Sequence, residues 1–290
     1  MKILTFDIED WFHILNHSTT RTESDWGRYP SRIHGNVSRI LDLLDETGQK
    51  STFFCLGWVG RRFPEVIRDI ADRGHEIGTH SFSHQLVFEQ SPSEFAEDLR
   101  LSIDTLSDII GKPIRSYRAP GFSVKKDDVW VFEELISAGI EVDCSVFPAS
   151  RAHGGFPEFG AGYPAMIHTP SGSIKEFPMN TAWVLGKPLV FSGGGYFRLI
   201  PYNVLTALIK RSPYVMTYFH PRDFDPEQPV IQDLSAMRKW KTYYGLRTSE
   251  RKLRRLVVEH DFMSLSEAEA LMDWDGVARV NFGLAAPVYT

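Results

Sequence analysis

The chain has 290 residues and a formal net charge of −5, with 42% hydrophobic and 24% charged residues. These values are ordinary for a globular protein, and the acidic balance excludes the basic surface expected of a nucleic-acid or anionic-membrane binder. The length exceeds a usual domain of roughly 100–200 residues, but α/β barrels of this size fold as one unit. Cys55 and Cys144 lie in apolar runs, so we expect buried thiols rather than a disulfide framework.

The N-terminal stretch MKILTFDIED has only short apolar runs before its first acidic residue. A signal peptide contains an apolar region of about 7–15 residues, and a membrane span needs about 18. We therefore expect a cytoplasmic protein without stable membrane insertion.

The first half of the chain alternates strand-like and helix-like segments. Apolar runs typical of buried strands occur at residues 2–8, 51–57, 75–80, 114–120 and 140–147. Helical patterns between them are predicted over residues 36–48, 64–74, 91–111 and 127–139. Their starts carry helix signals: Asn36 as a cap, Pro64 at a first helical position, and Ser91 with Glu94 as a capping box. This alternation predicts a parallel sheet covered by helices, as in α/β folds.

The pattern loosens after Pro148. Residues 149–200 are rich in glycine, proline and aromatic residues, and we interpret them as strands and long loops on one face of a barrel. Further along the chain, the pattern predicts helices at Val204–Lys210, at Ser249–Glu259 and near Ser266–Met272, and a strand at Tyr214–Phe219. Neither an internal repeat nor a composition break marks a second domain. We therefore expect one domain over residues 1–290, with a helical extension from about residue 235.

Polar clusters follow four of the predicted strands. In chain order they are Asp7, Glu9 and Asp10, then His80 and His84, then Arg118, and finally His220. In parallel α/β folds the catalytic groups gather at the C-terminal ends of the strands. We therefore expect these four clusters to meet in one site.

The histidines and the carboxylates have the composition of a hydrolytic metal site. His80 and His84, four residues apart, ligate one ion if the turn between them is helical, although two surface histidines are the alternative interpretation. A catalytic ion of the Zn²⁺ type also needs a third protein ligand, and its water needs a base. Strand alternation places Asp7 and Glu9 on the same side, so we assign Asp7 as the base and Glu9 as the ligand. Asp10 is the competing ligand if the strand has already ended, and a solvated acidic loop is the remaining alternative.

These stretches resemble the polysaccharide deacetylases, carbohydrate esterase family 4, which contain the NodB-homology domain. The matching motifs are TFDIED, THSFSH, YRAPGFS and YFHP, in the family's order between residues 5 and 221. The segments GGGYFRL and YFHPRDFDPEQP resemble a branch found with exopolysaccharide and lipopolysaccharide biosynthesis. One motif departs from the pattern, because most of the family has two adjacent aspartates where this chain has Asp-Ile-Glu-Asp.

The resemblance implies a distorted (β/α) barrel and a metal-dependent hydrolase that removes N-acetyl groups from an amino sugar of a bacterial surface polysaccharide or its precursor. The metal is expected to be Zn²⁺, with Co²⁺ or another transition metal as the alternative. Asp7 would take a proton from water, Arg118 would orient Asp7, and protonated His220 would donate to the leaving amine. Arg118 as a structural ion-pair residue and His220 as a packed imidazole are the alternatives.

The remaining assignments concern the surroundings of the reacting groups. A backbone N–H near Gly121 or Phe122 is expected to hold the oxyanion. Asp143 is the carboxylate expected to keep His220 charged, ahead of Asp223 and Asp225. Aromatic residues near the predicted mouth are expected to stack on sugar faces, with loop packing as the alternative; they include Trp11, Tyr196 and Phe197.

Two other functions fit the same motifs. A deformylase or cyclic-amide hydrolase would use the same barrel, and a non-catalytic carbohydrate-binding protein would have lost part of the site. The set Asp7, His80, His84, Arg118 and His220 is complete, which argues against such a loss. The expected partner is an N-acetylated glycan or an activated sugar, and no nucleic acid.

Overall fold

The structure is a computed structural model that describes residues 1–15, 17, 19–151, 154–160, 162–184 and 187–282. Its strands are β1 (Lys2–Ile3), β2 (Thr5–Ile8), β3 (Thr52–Cys55), β4 (Glu76–Thr79), β5 (Ser116–Tyr117), β6 (Val142–Asp143), β7 (Ala165–Thr169), β8 (Gly172–Glu176), β9 (Ala182–Val184), β10 (Lys187–Leu189), β11 (Val215–Met216) and β12 (Ala278–Asn281). Its helices are α1 (Glu23–Trp26), α2 (Ile33–Thr47), α3 (Gly57–Arg62), α4 (Pro64–Asp72), α5 (Pro92–Ile110), α6 (Trp130–Ser137), α7 (Gly194–Leu199), α8 (Tyr202–Arg211), α9 (Ala236–Tyr243), α10 (Leu246–Glu259) and α11 (Leu265–Leu271).

Eight of these strands form one sheet in the order β12-β7-β8-β6-β5-β4-β3-β2. Neighbouring strands are parallel except for the antiparallel pair β7 and β8. Beyond β2 the parallel pairing continues through Phe6 and Phe219, and β1 pairs with β11. The predicted α/β class with a parallel sheet is therefore confirmed, whereas the distorted barrel stays a prediction.

The strands β2 and β3 are buried along their whole length, as the continuous apolar runs predict. The helix α5 has the predicted capping box, in which the Glu94 amide donates to Ser91 Oγ (3.3 Å) and the Ser91 amide donates to Glu94 Oε2 (2.8 Å). It ends at Gly111 in the left-handed conformation (φ 66°), as the sequence predicts.

The start of α2 differs from the prediction. The helix begins at Ile33 rather than behind a cap at Asn36, so Asn36 lies inside it. The Asn36 side chain is buried and donates to Asp225 Oδ2 (3.1 Å). The Asn36 side chain therefore binds Asp225, which is distant in the sequence, and does not cap the helix.

The glycine run before α7 allows a close approach between two segments. A Cβ atom on Gly193 would lie 2.0 Å from the carbonyl oxygen of Tyr218, so a larger residue does not fit here. The Gly194 amide donates to the same oxygen (3.0 Å). This packing places the start of α7 beside the chain that leads to His220.

The helix α10, near the C-terminus, packs against the core and against the turn after His220. On α10, Leu253, Leu256 and Val257 are buried, and the Ser249 hydroxyl donates to the carbonyl oxygen of Asp223 (2.5 Å). In the described part of the chain, none of the helices combines the length and the apolar composition that crossing a bilayer requires.

Candidate metal centre and active site

Three buried side chains converge at the C-terminal ends of β2 and β4. Glu9 Oε1 lies 2.9 Å from His84 Nε2 and 3.2 Å from His80 Nε2. One ligand atom from each residue lies within 4.8 Å of the others, and all three residues are buried. A carboxylate with two imidazoles is a common protein ligand set of catalytic zinc sites.

The turn that carries the two histidines is held in an uncommon conformation. Ser81 (φ 68°) and His84 (φ 55°) both have left-handed backbones, which typically cost about 1–3 kcal/mol each outside glycine. Asp98 on α5 holds the turn, because its carboxylate accepts from the amides of Phe82 (2.7 Å) and Ser83 (2.9 Å). The helix α5 thus fixes the direction in which His84 points.

The protonation pattern of this group suits a divalent cation. His80 Nδ1 lies 2.8 Å from the Arg118 carbonyl oxygen and can only donate to it, which leaves the lone pair of Nε2 for a metal. Glu9 Oε2 is buried without a hydrogen-bond partner among the described residues. Burial opposes ionisation of Glu9, but the neighbouring imidazoles of His84, His220 and His80 outweigh it and hold its pKa well below the usual range. Burial lowers the pKa of His84, which favours the neutral ligand form. The residues therefore fit a metal ion.

Asp10, the competing carboxylate, is directed away from this group. Its oxygens accept from the Ser31 hydroxyl (2.5 Å) and from the amides of Trp11 (2.8 Å) and Arg32 (3.1 Å). Although Asp10 is buried, its hydrogen bonds hold the loop after β2 to the start of α2. The geometry therefore favours Glu9 over Asp10 as the ligand.

We expect Glu9→Gln to lower the affinity for Zn²⁺ strongly, because the substitution removes the charged ligand from a buried site. Asp10→Asn is the matched control, since it changes a neighbouring buried carboxylate that does not face the histidines. Zn²⁺ titration of both purified variants with a competing chelator measures the difference, with at least a roughly tenfold larger loss for Glu9→Gln. Equal losses, or a larger loss for Asp10→Asn, would contradict the proposed ligand set.

The predicted base Asp7 forms a buried ion pair beside the metal group. Arg118 Nη1 donates to Asp7 Oδ1 (2.7 Å) and to Thr5 Oγ1 (2.7 Å). The guanidinium lies 4.2 Å from the centre of the Phe54 ring, so its plane is fixed on several sides. Asp7 Oδ2 remains directed toward His220, whose Nε2 lies 3.9 Å away. Arg118 thus positions Asp7 and leaves one carboxylate oxygen free to face the cavity.

The carboxylate that pairs with His220 is Asp223, so the preference for Asp143 is wrong. His220 Nδ1 lies 3.0 Å from Asp223 Oδ2, which also accepts from the His220 amide (3.0 Å). Asp143 accepts from the Ser145 hydroxyl (2.5 Å) and lies in a buried carboxyl pair with Glu176. Burial raises the pKa of both of those carboxyl groups, as expected for acids that share hydrogen bonds in the core.

Local sequence contained the signal for this pairing. His220 precedes a short 3₁₀ turn that starts at Pro221, and Asp223 is its third residue. An acidic side chain at the third helical position returns to the backbone of the capping residue, as in a capping box. Asp225, the other alternative, instead binds the side chains of Arg32 (3.0 Å) and Asn36 (3.1 Å).

The charge state of His220 follows from these neighbours. Burial alone would lower its pKa, but the negative charges of Glu9 and Asp223 outweigh this effect and raise the pKa above the usual value. In the same pair, the hydrogen bond from His220 and the charge of Arg198 outweigh burial and lower the pKa of Asp223. His220 is therefore held in the protonated form over a wider pH range.

The predicted substrate-binding residues divide into two groups. Gly121 and Phe122 line the cavity in front of the metal group, but the Phe122 amide already donates to the Ala119 carbonyl oxygen (2.9 Å). Trp11 and Phe197 do not line the cavity; both are buried, with Trp11 Nε1 donating to the Pro30 carbonyl oxygen (2.9 Å). Phe197 packs on Phe219 in the core. The stacking role is therefore wrong for these two aromatic residues, because the core needs their apolar area.

Tyr196 has a different position. Its side chain is 45% exposed, and the neighbouring Gly195 lines the cavity. Tyr196 itself is absent from the cavity wall in the part of the chain that is described. A stacking role for Tyr196 stays a prediction.

Several residues of the cavity were not predicted. The cavity has a volume of about 290 Å³ and is also lined by His13 and by basic side chains on later segments, namely Arg151, Arg198, Arg222, Arg238 and Lys241. His13 is buried, its Nδ1 accepts from the Asp10 amide (3.0 Å), and burial holds its pKa well below the usual range. Sequence periodicity does not indicate which distant loops and helices meet at one site, so none of these residues had a local signal.

Two family models match the chain in succession. Residues 4–139 match the polysaccharide deacetylase model, and residues 144–270 match a domain of unknown function, DUF3473. Asp7, Glu9, His80, His84 and Arg118 lie in the first matched segment. His220 and its partner Asp223 lie in the second.

Curated relatives match about a third of the chain. A peptidoglycan-N-acetylglucosamine deacetylase of Bacillus cereus is 29% identical over 97 residues, which are 33% of this chain and 35% of that protein. Chitin deacetylase 1 of Saccharomyces cerevisiae is 34% identical over 80 residues, which are 28% of this chain and 26% of that protein. The chain spans about a third of the length of the curated relatives that it matches.

Solved structures share the fold over almost the whole chain. A Mycobacterium smegmatis protein classed as a polysaccharide deacetylase superposes with a TM-score of 0.65 at 21% identity, covering 99% of this chain and 93% of that one. A Bacillus anthracis pseudoenzyme of carbohydrate esterase family 4 superposes with a TM-score of 0.50 at 12% identity, covering 92% and 64%. Because this fold includes a pseudoenzyme, the activity must be argued from the site residues.

Proposed function

We propose that the protein is a metal-dependent hydrolase that removes N-acetyl groups from an amino sugar of a bacterial surface polysaccharide or its precursor, since residues 4–139 match the polysaccharide deacetylase model. The observation that carries this proposal is the buried group of Glu9, His80 and His84, with Asp7 and His220 facing the same cavity. The deacetylases among the curated relatives support the reaction. The resemblance of the segments at residues 193–199 and 218–229 supports the surface-polysaccharide class.

Glu9, His80 and His84 would hold the cation, and one carboxylate with two imidazoles suits Zn²⁺, with Co²⁺ as the alternative. A bound cation of this kind polarises a carbonyl group and acidifies water at neutral pH. The buried ligands and the hydrogen bond from His80 to the Arg118 carbonyl oxygen would fix the orientation of the set.

Two residues beside the metal group transfer protons: Asp7 accepts one and His220 donates one. Asp7 Oδ2 accepts a proton from the attacking water, while Arg118 holds Oδ1 by a charge-assisted hydrogen bond. The oxyanion is assigned to the Gly121 amide, because the Phe122 amide is already used in its turn. His220, held protonated by Asp223, donates to the nitrogen as the C–N bond breaks. Water adds to the acetyl carbon, and the products are acetate and the free amino sugar.

The proposed catalytic unit comprises residues 1–290 as one domain. Its base and metal ligands lie before residue 140, whereas its acid lies at His220. The two parts meet where Phe6 pairs with Phe219 and the Asp7 amide donates to the Phe219 carbonyl oxygen (2.7 Å). We therefore expect neither matched segment to be active alone.

The Asp223→Asn substitution is expected to shift the alkaline side of the pH–rate profile to lower pH. The general acid must be protonated, so activity falls as pH rises through the pKa of His220, which Asp223 helps to raise. Removing that negative charge lowers this pKa, so activity is lost at a lower pH. Asp225→Asn is the control, since Asp225 binds Arg32 instead. A profile of kcat/KM against pH that is unchanged in Asp223→Asn would remove Asp223 from this role.

Acetate release tests the proposal. Purified protein is assayed with N-acetylated oligosaccharides of chitin and peptidoglycan type and with N-acetylated sugar nucleotides, with and without added Zn²⁺ or Co²⁺. We expect acetate and a free amine in equal amounts, dependent on the metal. Formate release from N-formylated sugars without acetate release would instead indicate a deformylase, and sugar binding without any hydrolysis would indicate a carbohydrate-binding protein.

A further inference from the structure

The cavity in front of the metal group has an excess of positive charge. Five Lys or Arg residues line it, although the whole chain has 37 acidic and 32 basic residues. Its three carboxylates already have partners: Asp7 binds Arg118, Glu9 faces the two histidines, and Asp223 binds His220. The excess is therefore local to the cavity and does not follow from the composition.

One of the five basic residues has a structural role. Arg198 donates to the carbonyl oxygens of Thr242 (2.7 Å), Tyr244 (2.8 Å) and Lys241 (3.2 Å), and its Nε lies 3.4 Å from Asp223. These contacts attach the C-terminal part of α9 to α7. Arg198 thus holds α9 over the cavity, and the other four basic residues also line the cavity.

Arg151 presents a fixed guanidinium to the cavity. The group lies 4.4 Å from the centre of the Phe147 ring and 5.2 Å from that of Phe122, so two aromatic faces fix its position. Its Nη1 is buried without a hydrogen-bond partner among the described residues. A buried guanidinium nitrogen that lacks a partner loses free energy unless a ligand supplies one.

Two other elements contribute further basic side chains to the cavity, namely Arg222, Arg238 and Lys241. Together with Arg151 they form what we call the basic wall. Arg222 lies in the turn after His220, and its Nη2 is 3.7 Å from Glu9 Oε2, which is beyond hydrogen-bond distance. Burial and the positive charge of Arg222 both lower the pKa of Arg238 on α9, and Arg238 Nη2 donates to the carbonyl oxygen of Leu15. Lys241 is exposed and lies one turn further along the same helix. Like charges gathered around a cavity favour an anion between them.

We propose that the substrate carries a phosphate or carboxylate group close to its acetamido group, and that Arg151 and Lys241, with Arg222, bind this anion. The inference rests on the proposed function and specifies its substrate class. Arginine suits both anions, because its planar donors match the oxygens of phosphate and carboxylate. All of these basic residues lie in the segment at residues 144–270, whereas the metal ligands lie before it. The second segment therefore selects the substrate on which the first segment acts.

Three acetylated substrates separate the two anion sources. They are N-acetylglucosamine 1-phosphate, a disaccharide of N-acetylglucosamine and glucuronate, and the neutral di-N-acetylchitobiose. We expect kcat/KM to be at least about tenfold higher for one of the anionic substrates than for the neutral one, and to fall as salt concentration rises. The preferred substrate identifies phosphate or carboxylate as the recognised group.

Variants test whether the named residues cause the preference. Arg151→Gln and Lys241→Gln are each expected to lower kcat/KM for the preferred anionic substrate about tenfold, and to change the value for di-N-acetylchitobiose less than about twofold. Lys239→Gln is the matched control, because it removes a lysine from the same helix α9 at a position outside the cavity wall. Equal losses on neutral and anionic substrates, or no preference in the unaltered protein, would overturn the inference and leave the proposed function standing.

A binding measurement separates this inference from the proposed function. Equilibrium dialysis compares glucosamine 1-phosphate, glucuronate and glucosamine on metal-stripped protein. Tighter binding of an anion, weakened by Arg151→Gln and not by Lys239→Gln, supports the inference even if no substrate releases acetate and the proposed function fails. Binding of both anions no tighter than that of glucosamine overturns it.

Discussion

Replacing Asp7 with asparagine is expected to lower acetate release by about 10²–10⁴-fold, because a general base contributes that much to the rate. Asparagine keeps the size of the side chain and can still accept a hydrogen bond from Arg118, but it does not take a proton from water. Glu9, His80 and His84 are unchanged, so the variant should still bind close to one Zn²⁺ per chain. The measurement is kcat on the best acetylated substrate together with metal content.

The control for this variant must exclude damage to the fold. Asp7 and Arg118 form a fully buried pair, and removal of one partner from such a pair costs about 3–5 kcal/mol when the remaining charge is left alone. Urea unfolding of Asp7→Asn should therefore show a lower but cooperative midpoint, well above assay conditions. Asp104→Asn, which changes an exposed carboxylate on α5, should change neither quantity. Retention of more than about a tenth of the wild-type rate by Asp7→Asn would show that another group is the base.

The double substitution of His80 and His84 by alanine is expected to remove the bound metal and to reduce acetate release by about 10²–10⁴-fold. A catalytic metal contributes several kcal/mol to the transition state, and about 1.4 kcal/mol corresponds to a factor of ten. Because the imidazoles must be neutral to bind, protons compete with the metal, and the metal affinity of the unaltered protein should also decrease as pH falls. Metal analysis after gel filtration, followed by the activity assay, measures both effects.

An exposed histidine provides the matched control for the double variant. His34 lies on the surface of α2, its Nε2 is 2.6 Å from Glu65 Oε1, and it is outside the cavity wall. His34→Ala should keep full metal content and activity. Full metal content in the double variant of His80 and His84 would mean that the ion is held elsewhere.

The active-site elements were largely predictable because each lies directly after a strong strand pattern. Asp7 lies near the end of β2, Glu9 directly follows β2, and His80 directly follows β4, so the geometry of a parallel sheet brings them together without further information. The choice between Glu9 and Asp10 depended on where β2 ends. In the structure β2 ends at Ile8. Glu9 nevertheless faces the histidines, because the Asp10 carboxylate accepts a hydrogen bond from Ser31 in the loop before α2.

The errors arose where tertiary contacts replaced local patterns. Asp143 is at a strand end and resembles a site residue, but its neighbours are Ser145 and Glu176 in the core. Trp11 and Phe197 lie beside motif residues, and the same apolar area that suits sugar stacking also suits burial. Sequence position alone does not separate the two uses of an aromatic side chain.

The basic wall of the cavity could not be predicted from one sequence, because its residues come from segments that are far apart in the chain. Arg151 is on a loop after β6, and Lys241 is on α9, 90 residues further along the chain. The residue periodicity of α9 does not indicate that this helix lies over the cavity. Its position depends on Arg198, which donates to three carbonyl oxygens near the end of α9.

The most direct measurement of metal-dependent deacetylation is a titration of metal-stripped protein with Zn²⁺, with metal occupancy and acetate release followed in the same samples. We expect no acetate release before the addition, a rise in proportion to occupancy, and a plateau at about one Zn²⁺ per chain. The Glu9→Gln variant should need far more Zn²⁺ to reach any plateau. Full acetate release by the stripped protein, or full occupancy without acetate release from any N-acetylated sugar, would contradict a metal-dependent deacetylase.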